Sequence, residues 1–123
     1  MASLNIPALF QAAADILIRE DQRISVEYSA EETRIRFPTA RRFARYLDVP
    51  PHYYVLPVFD TMEDKNLVRR EERVGISTTN EGTLLFLEII KESMPDEANA
   101  LLGGEGTVAA LAAKISSVTP PAP

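Results

Sequence analysis

The chain has 123 residues, 46% hydrophobic and 25% charged, with a net charge of −5, which allows one folded domain with a real core. It has no cysteine, which excludes disulfides, thiolate metal sites and cysteine nucleophiles. No apolar run approaches the roughly 20 residues that cross a bilayer, and no basic stretch followed by an apolar one opens the chain; the expectation is a cytoplasmic protein with no membrane partner.

Asn5 with Pro7 reads as a capped helix start, and Leu9, Phe10, Ala13, Ile16 and Leu17 recur at helical spacing over residues 7–20. Residues 23–37 alternate: Ile24, Val26 and Tyr28 face one way, and later Ile35 and Phe37 alternate with Arg34 and Arg36, which predicts a β-hairpin. A short helix from Ser29, with Glu32 at capping-box spacing, is the rival reading. Thr39 caps the next helix, with Ala40, Phe43, Ala44 and Leu47 on one face and Arg41, Arg42 and Arg45 opposite. After the turn at 48–51, a second helix buries Val55, Val58, Phe59 and Met62 and turns Tyr53, Pro57, Asp60, Thr61 and Asp64 outward. Pro57 either lies in its first turn or kinks it. Residues 67–70 and 73–77 form a hairpin around Glu71 and Glu72. Thr79 or Asn80 caps a helix to 93 with a broad apolar surface of Leu84, Leu85, Leu87, Ile89 and Ile90. Helices at 96–102 and, capped by Thr107, to about 117 follow, joined by a glycine-rich break; Val118 onward reads as a tail. The interior should include Phe10, Leu17, Phe43, Leu47, Val55, Phe59, Met62, Leu67 and Ile76.

Charge is unevenly placed. Residues 33–73 hold nine Lys/Arg against six Asp/Glu, whereas the rest holds four against twelve. Arg34, Arg36, Arg41, Arg42 and Arg45 fall within twelve residues that contain no acid, which suits phosphate contact, although an arginine trio on a helix is also an ordinary solvated face. The lone His52 has no identifiable nucleophile or metal partner. Asp60, Glu63 and Asp64 lack the ligand spacing of a calcium loop, and Gly103, Gly104 and Gly106 lack the Lys-Ser/Thr of a phosphate loop. The expectation is therefore no enzyme activity, no metal and no cofactor.

Residues 47–85 resemble the winged helix-turn-helix superfamily, particularly its MarR-like and PadR-like regulators. The resemblance is carried by a short helix, a turn, a helix finishing in Glu63, Asp64, Lys65, Asn66, Leu67 and Val68, a charged hairpin, and Thr79, Asn80, Glu81 and Gly82 opening a helix. With the preceding helices it covers about two thirds of the chain. It implies an α+β, mostly helical fold: a winged helix-turn-helix over 1–94 with a β-hairpin wing and flanking dimerisation helices, a helical extension over 95–118 and a disordered tail over 119–123. It implies double-stranded DNA as partner, with phosphate contacts from Arg34, Arg36, Arg41, Arg42 and Arg45. The recognition helix would contribute His52, Tyr53, Tyr54 and Thr61, and the wing Arg69, Arg70 and Arg73.

The leading expectation is a homodimeric DNA-binding transcriptional regulator, paired through residues 7–20, 79–93 and 107–117, because a small core cannot cover all five apolar residues of the 79–93 helix. The alternative is a winged-helix protein-interaction module without DNA binding. It is favoured by Asp60 and Asp64 on the side of the helix that would enter the groove, and by the acidic tip of the wing. A continuous positive stripe over the arginine face would mark a duplex partner; a patchy one would mark a protein.

Overall fold

Helix α1 spans Ile6–Ala14 and begins as its sequence dictates: the Asn5 side chain accepts the Ala8 N–H at 2.9 Å, and Pro7 occupies the first turn. The computed structural model describes residues 5–29, 32–50, 54–71 and 75–118. The expected helix over 7–20 is regular only to Ala14. Residues Asp15–Glu20 continue it as a π-helical segment, with the Asp21 N–H reaching Ile16 O at 2.9 Å, and it buries Ile16, Leu17 and Ile18 in succession against the fifth helix.

Strands β1 (Val26–Tyr28) and β2 (Thr33–Ile35) pair antiparallel, Val26 opposite Ile35. The Ser29–Glu32 spacing serves this hairpin and not a helix. Ser29 N–H donates to Glu32 O at 2.9 Å, and Glu32 N–H donates to the Ser29 hydroxyl at 3.0 Å. Helix α2 (Ala40–Leu47) is capped by Thr39, which accepts from Arg42 N–H, and ends at Asp48 in the left-handed region with φ 55°. Helix α3 (Leu56–Asp64) has Pro57 in its first turn, where a missing N–H costs nothing, so no kink is needed. Asn66, also left-handed at φ 59°, turns the chain outward, and Leu67 N–H closes on Met62 O at 2.8 Å.

Strands β3 (Val68–Glu71) and β4 (Gly75–Thr78) form the second hairpin, Val68 opposite Thr78 and Glu71 opposite Gly75. This corrects the expected turn at Glu71 and Glu72: Glu71 belongs to the strand, and the connection lies at 72–74, outside the described residues. Past its end, β2 lies beside β4, through the Arg36–Ser77 bridge and Phe37 N–H donating to Ile76 O at 2.9 Å.

Helix α4 (Asn80–Ser93) is capped by Thr79, which accepts from Gly82 N–H at 3.2 Å while donating its own hydroxyl proton to Asn66 O. Gly82 is required by close approach. A β-carbon there would stand 1.9 Å from Leu67 O, the oxygen that accepts Thr79 N–H. Helices α5 (Pro95–Leu102) and α6 (Thr107–Val118) follow, so Val118 belongs to the helix and not to a tail. Thr107 does not cap α6 with an accepting oxygen. Its hydroxyl donates to Gly104 O, and Asn99 of α5 accepts the Val108 N–H at 2.9 Å.

The fold is α+β and mostly helical, with two small antiparallel hairpins. All five phenylalanines are buried, with Phe37 at the centre: its ring lies 5.0 Å from Phe10, 6.1 Å from Phe43 and 5.8 Å from Phe86, and Phe43 meets Phe59 at 5.5 Å. Of the expected interior, Leu47, Leu67 and Ile76 are only partly buried; the other six are buried. Met94, Ala98, Val108, Leu111 and Ile115 join the same core from α5 and α6. These helices and α1 cover α4 within one chain: Leu87 and Ile90 are sealed, and Leu84, Leu85 and Ile89 are partly so. Part of the apolar surface expected to require a second copy is therefore covered within the chain, and Leu84, Leu85 and Ile89 stay partly exposed. Among the described residues, no helix is long and apolar enough to cross a membrane.

Candidate nucleic-acid interface

Three of the five arginines that are acid-free as a stretch of sequence, Arg34, Arg36 and Arg42, are not acid-free in space. Arg34 of β2 reaches Glu71 of β3 at 2.8 Å and the Ser77 hydroxyl at 2.5 Å. Arg36 meets Glu27 of β1 at 2.7 Å, and Arg42 of α2 meets Asp21, at the end of the π-helical segment, at 2.8 Å and Glu20 at 3.5 Å. On the second hairpin, Arg69 meets Glu32 at 2.9 Å, and Arg70 is held between Asp60 and Glu63 of α3 while its guanidinium lies 6.0 Å over the Phe59 ring. Arg34 and Arg69 tie the two hairpins together, Arg70 ties the second hairpin to α3, Arg42 ties α2 to the π-helical segment, and Arg36 with Glu27 braces the first hairpin.

The protonation equilibria follow this geometry. The Arg36 hydrogen bond and charge hold the Glu27 carboxyl below the usual carboxylate range. The Asp21 hydrogen bond lifts Arg42 above its ordinary value against the effect of burial. Burial opposes the charge on Arg70, but its hydrogen bonds to Asp60 and Glu63 outweigh that and raise it. Partial burial and then the Asp15 carboxylate, 2.9 Å from its hydroxyl, push the Tyr46 phenol up.

Arg41 and Arg45 behave differently. Both are exposed on α2, one turn apart, and no carboxylate among the described residues pairs with either. Tyr54 is half-buried before α3, and the Thr61 hydroxyl donates to Pro57 O at 3.1 Å on its own helix. His52, Tyr53 and Arg73 lie outside the described residues.

The outward side of α3 carries Pro57, Asp60, Thr61 and Asp64, all exposed as expected. The expectation that Asp60 is unpaired is corrected, because Arg70 reaches it from β3; Asp64 has no cation partner among the described residues. Beside this side runs a feature that the sequence reading missed. Asn5, Ile6 and Pro7 at the start of α1 and Pro57, Val58 and Thr61 of α3 line a mostly apolar groove of about 460 Å³. Its signal in the sequence was the pair of proline-bearing helix starts; their meeting depends on tertiary packing.

Comparison with family models, with curated proteins and with solved structures gave no match.

Proposed function

We propose that this chain is a winged-helix domain that acts by binding protein and does not read duplex DNA. The winged-helix assignment is supported by the order helix, two strands, helix, helix, two strands, helix, in which the second strand, β2, stands directly before the helix pair. It is also supported by the join between the strand preceding α2 and the hairpin following α3, through Arg36 with Ser77 and Phe37 with Ile76. The observation that carries the functional reading is the pairing of Arg34, Arg36, Arg42, Arg69 and Arg70 with carboxylates of the chain, together with the uncharged and acidic outer side of α3.

Magnitudes favour this reading. Exchanging the carboxylates on Arg34, Arg42, Arg69 and Arg70 for phosphates gives up surface ion pairs worth up to about 1 kcal/mol each. Non-specific DNA binding has a total of only about −5.5 to −8 kcal/mol. Asp64 would add repulsion at the groove. A low-salt anisotropy titration on mixed-sequence duplexes tests the reading, with no saturable binding expected.

The second reading is the homodimeric DNA-binding transcriptional regulator. It is favoured by Arg41 and Arg45, the cations of α2 that have no carboxylate partner among the described residues. On that reading the parent binds in low salt, and Arg41→Ala with Arg45→Ala weakens binding on every sequence, as lost phosphate contacts do.

A further inference from the structure

We propose that the groove between α1 and α3 receives a basic, amphipathic segment of a partner protein, one that sets an aliphatic side chain against Ile6, Pro7, Pro57 and Val58 and a lysine or arginine against Asp64. This deepens the protein-binding reading and rests on it.

The chemistry of the groove selects that partner. Its walls are aliphatic and proline side chains, with Asn5 and Thr61 as the hydrogen-bonding groups at its edge, and no cation lines it among the described residues. On α3, successive residues turn by about 100°, so Pro57, Thr61 and Asp64 fall on one stripe with Asp60 at its border. The stripe therefore runs from an apolar end to an acidic end one turn further along. Arg70 serves Asp60 and Glu63, and the exposed Asp64 has no cation partner among the described residues. Asp60, Glu63 and Asp64 against Arg70 and Lys65 leave this end of α3 at −1, and the chain as a whole carries −5. A basic partner is drawn by both local and total charge, and an acidic one is repelled by both. An apolar face laid in a groove with charges fixing its register is a recurrent mode of peptide recognition. The small, rigid wall residues lose little entropy when covered.

The test is a titration of isotope-labelled full chain, followed by amide NMR, with two short synthetic amphipathic helices, one of leucine and lysine and one of leucine and glutamate. The leucine–lysine peptide is expected to shift the amides of Ile6, Val58 and Thr61, and the leucine–glutamate peptide to leave them in place. Thr61→Arg and Asp64→Lys should each weaken the first peptide by on the order of tenfold, while Glu88→Lys, the same charge change on an exposed site of α4, should stay within about twofold. Spectra of the free variants establish that they remain folded. Shifts centred elsewhere, or equal responses to both peptides, overturn the groove assignment and leave the protein-binding reading standing. Concentration-dependent shifts of Val58 and Thr61 without peptide identify a second copy as occupant and overturn it. So does movement of the same two amides on deletion of residues 1–4, which identifies the chain's own N-terminus. If a mixed-sequence duplex moves them in low salt, the protein-binding reading itself fails.

Discussion

Gly82→Ala should be strongly destabilising, although alanine is the better helix former. Glycine to alanine inside a helix ordinarily stabilises by about 1 kcal/mol. Here the added β-carbon would lie 1.9 Å from Leu67 O and 2.9 Å from Leu67 C, backbone atoms that cannot rotate away. Relieving the overlap means moving β3 from α4. Overpacking of this kind costs about 3 kcal/mol. The hydrogen bond from Thr79 N–H to the same Leu67 O, 3.0 Å long, is strained with it and accounts for about 1 kcal/mol more. Set against the helix gain, the net loss is about 3 kcal/mol. A chain of 123 residues has an unfolding entropy of about 0.26 kcal/mol/K near 60 °C, so the melting temperature should fall by about 11 °C. Differential scanning calorimetry of parent and variant measures this directly. A Gly82→Ala protein that melts at or above the parent refutes the close approach of α4 to the end of α3, and with it the reason for the Thr79-to-Gly82 motif.

Phe59→Ala, which removes a fully buried ring packed edge-on against Phe43, should cost about 3–5 kcal/mol in a denaturant or thermal melt. Thr83→Val breaks a buried chain in which Thr83 donates to Thr33 O at 2.7 Å and lies 2.6 Å from the Thr78 hydroxyl; it should cost about 1–3 kcal/mol by urea unfolding, and a neutral result would remove this tie between the first hairpin and α4. Because the folded-state pKa of Glu27 is depressed, its contribution to stability is present above the unfolded carboxylate range and is lost as pH falls through the lower folded value. A carbon-detected titration should place its midpoint below that of an ordinary glutamate, and Arg36→Gln should bring it back.

Local features were legible. The Asn5, Thr39 and Thr79 caps, the order of the elements and the buried faces of α2 and α3 follow from short-range spacing and appear where the residues place them. The turn of the second hairpin was misplaced because Arg70 and Glu71 look like the rim of a turn, whereas Glu71 is kept in the strand opposite Gly75 and tied to Arg34. The electrostatics were legible only in part. Glu27 neighbours Arg36 once the first hairpin is drawn, so that pair was accessible. Arg34 with Glu71 and Arg69 with Glu32 join residues 37 apart, and their meeting follows from the docking of one hairpin on the other. Three of the five arginines of an acid-free run of sequence, Arg34, Arg36 and Arg42, meet carboxylates in the fold. The covering of α4 was missed likewise, because α5 and α6 read as an extension and fold back as part of the core.

The central claim is that carboxylates of the chain itself hold the arginines away from phosphate. A low-salt anisotropy titration of one mixed-sequence duplex with the parent and with the triple variant Glu32→Gln, Asp60→Asn and Glu71→Gln tests it most directly. The account predicts no saturable binding by the parent and salt-dependent binding by the variant, whose freed Arg34 and Arg69 guanidiniums, with Arg70 left to Glu63 alone, release counterions from the duplex. Tight, salt-dependent binding by the parent, unchanged in the triple variant, would contradict it.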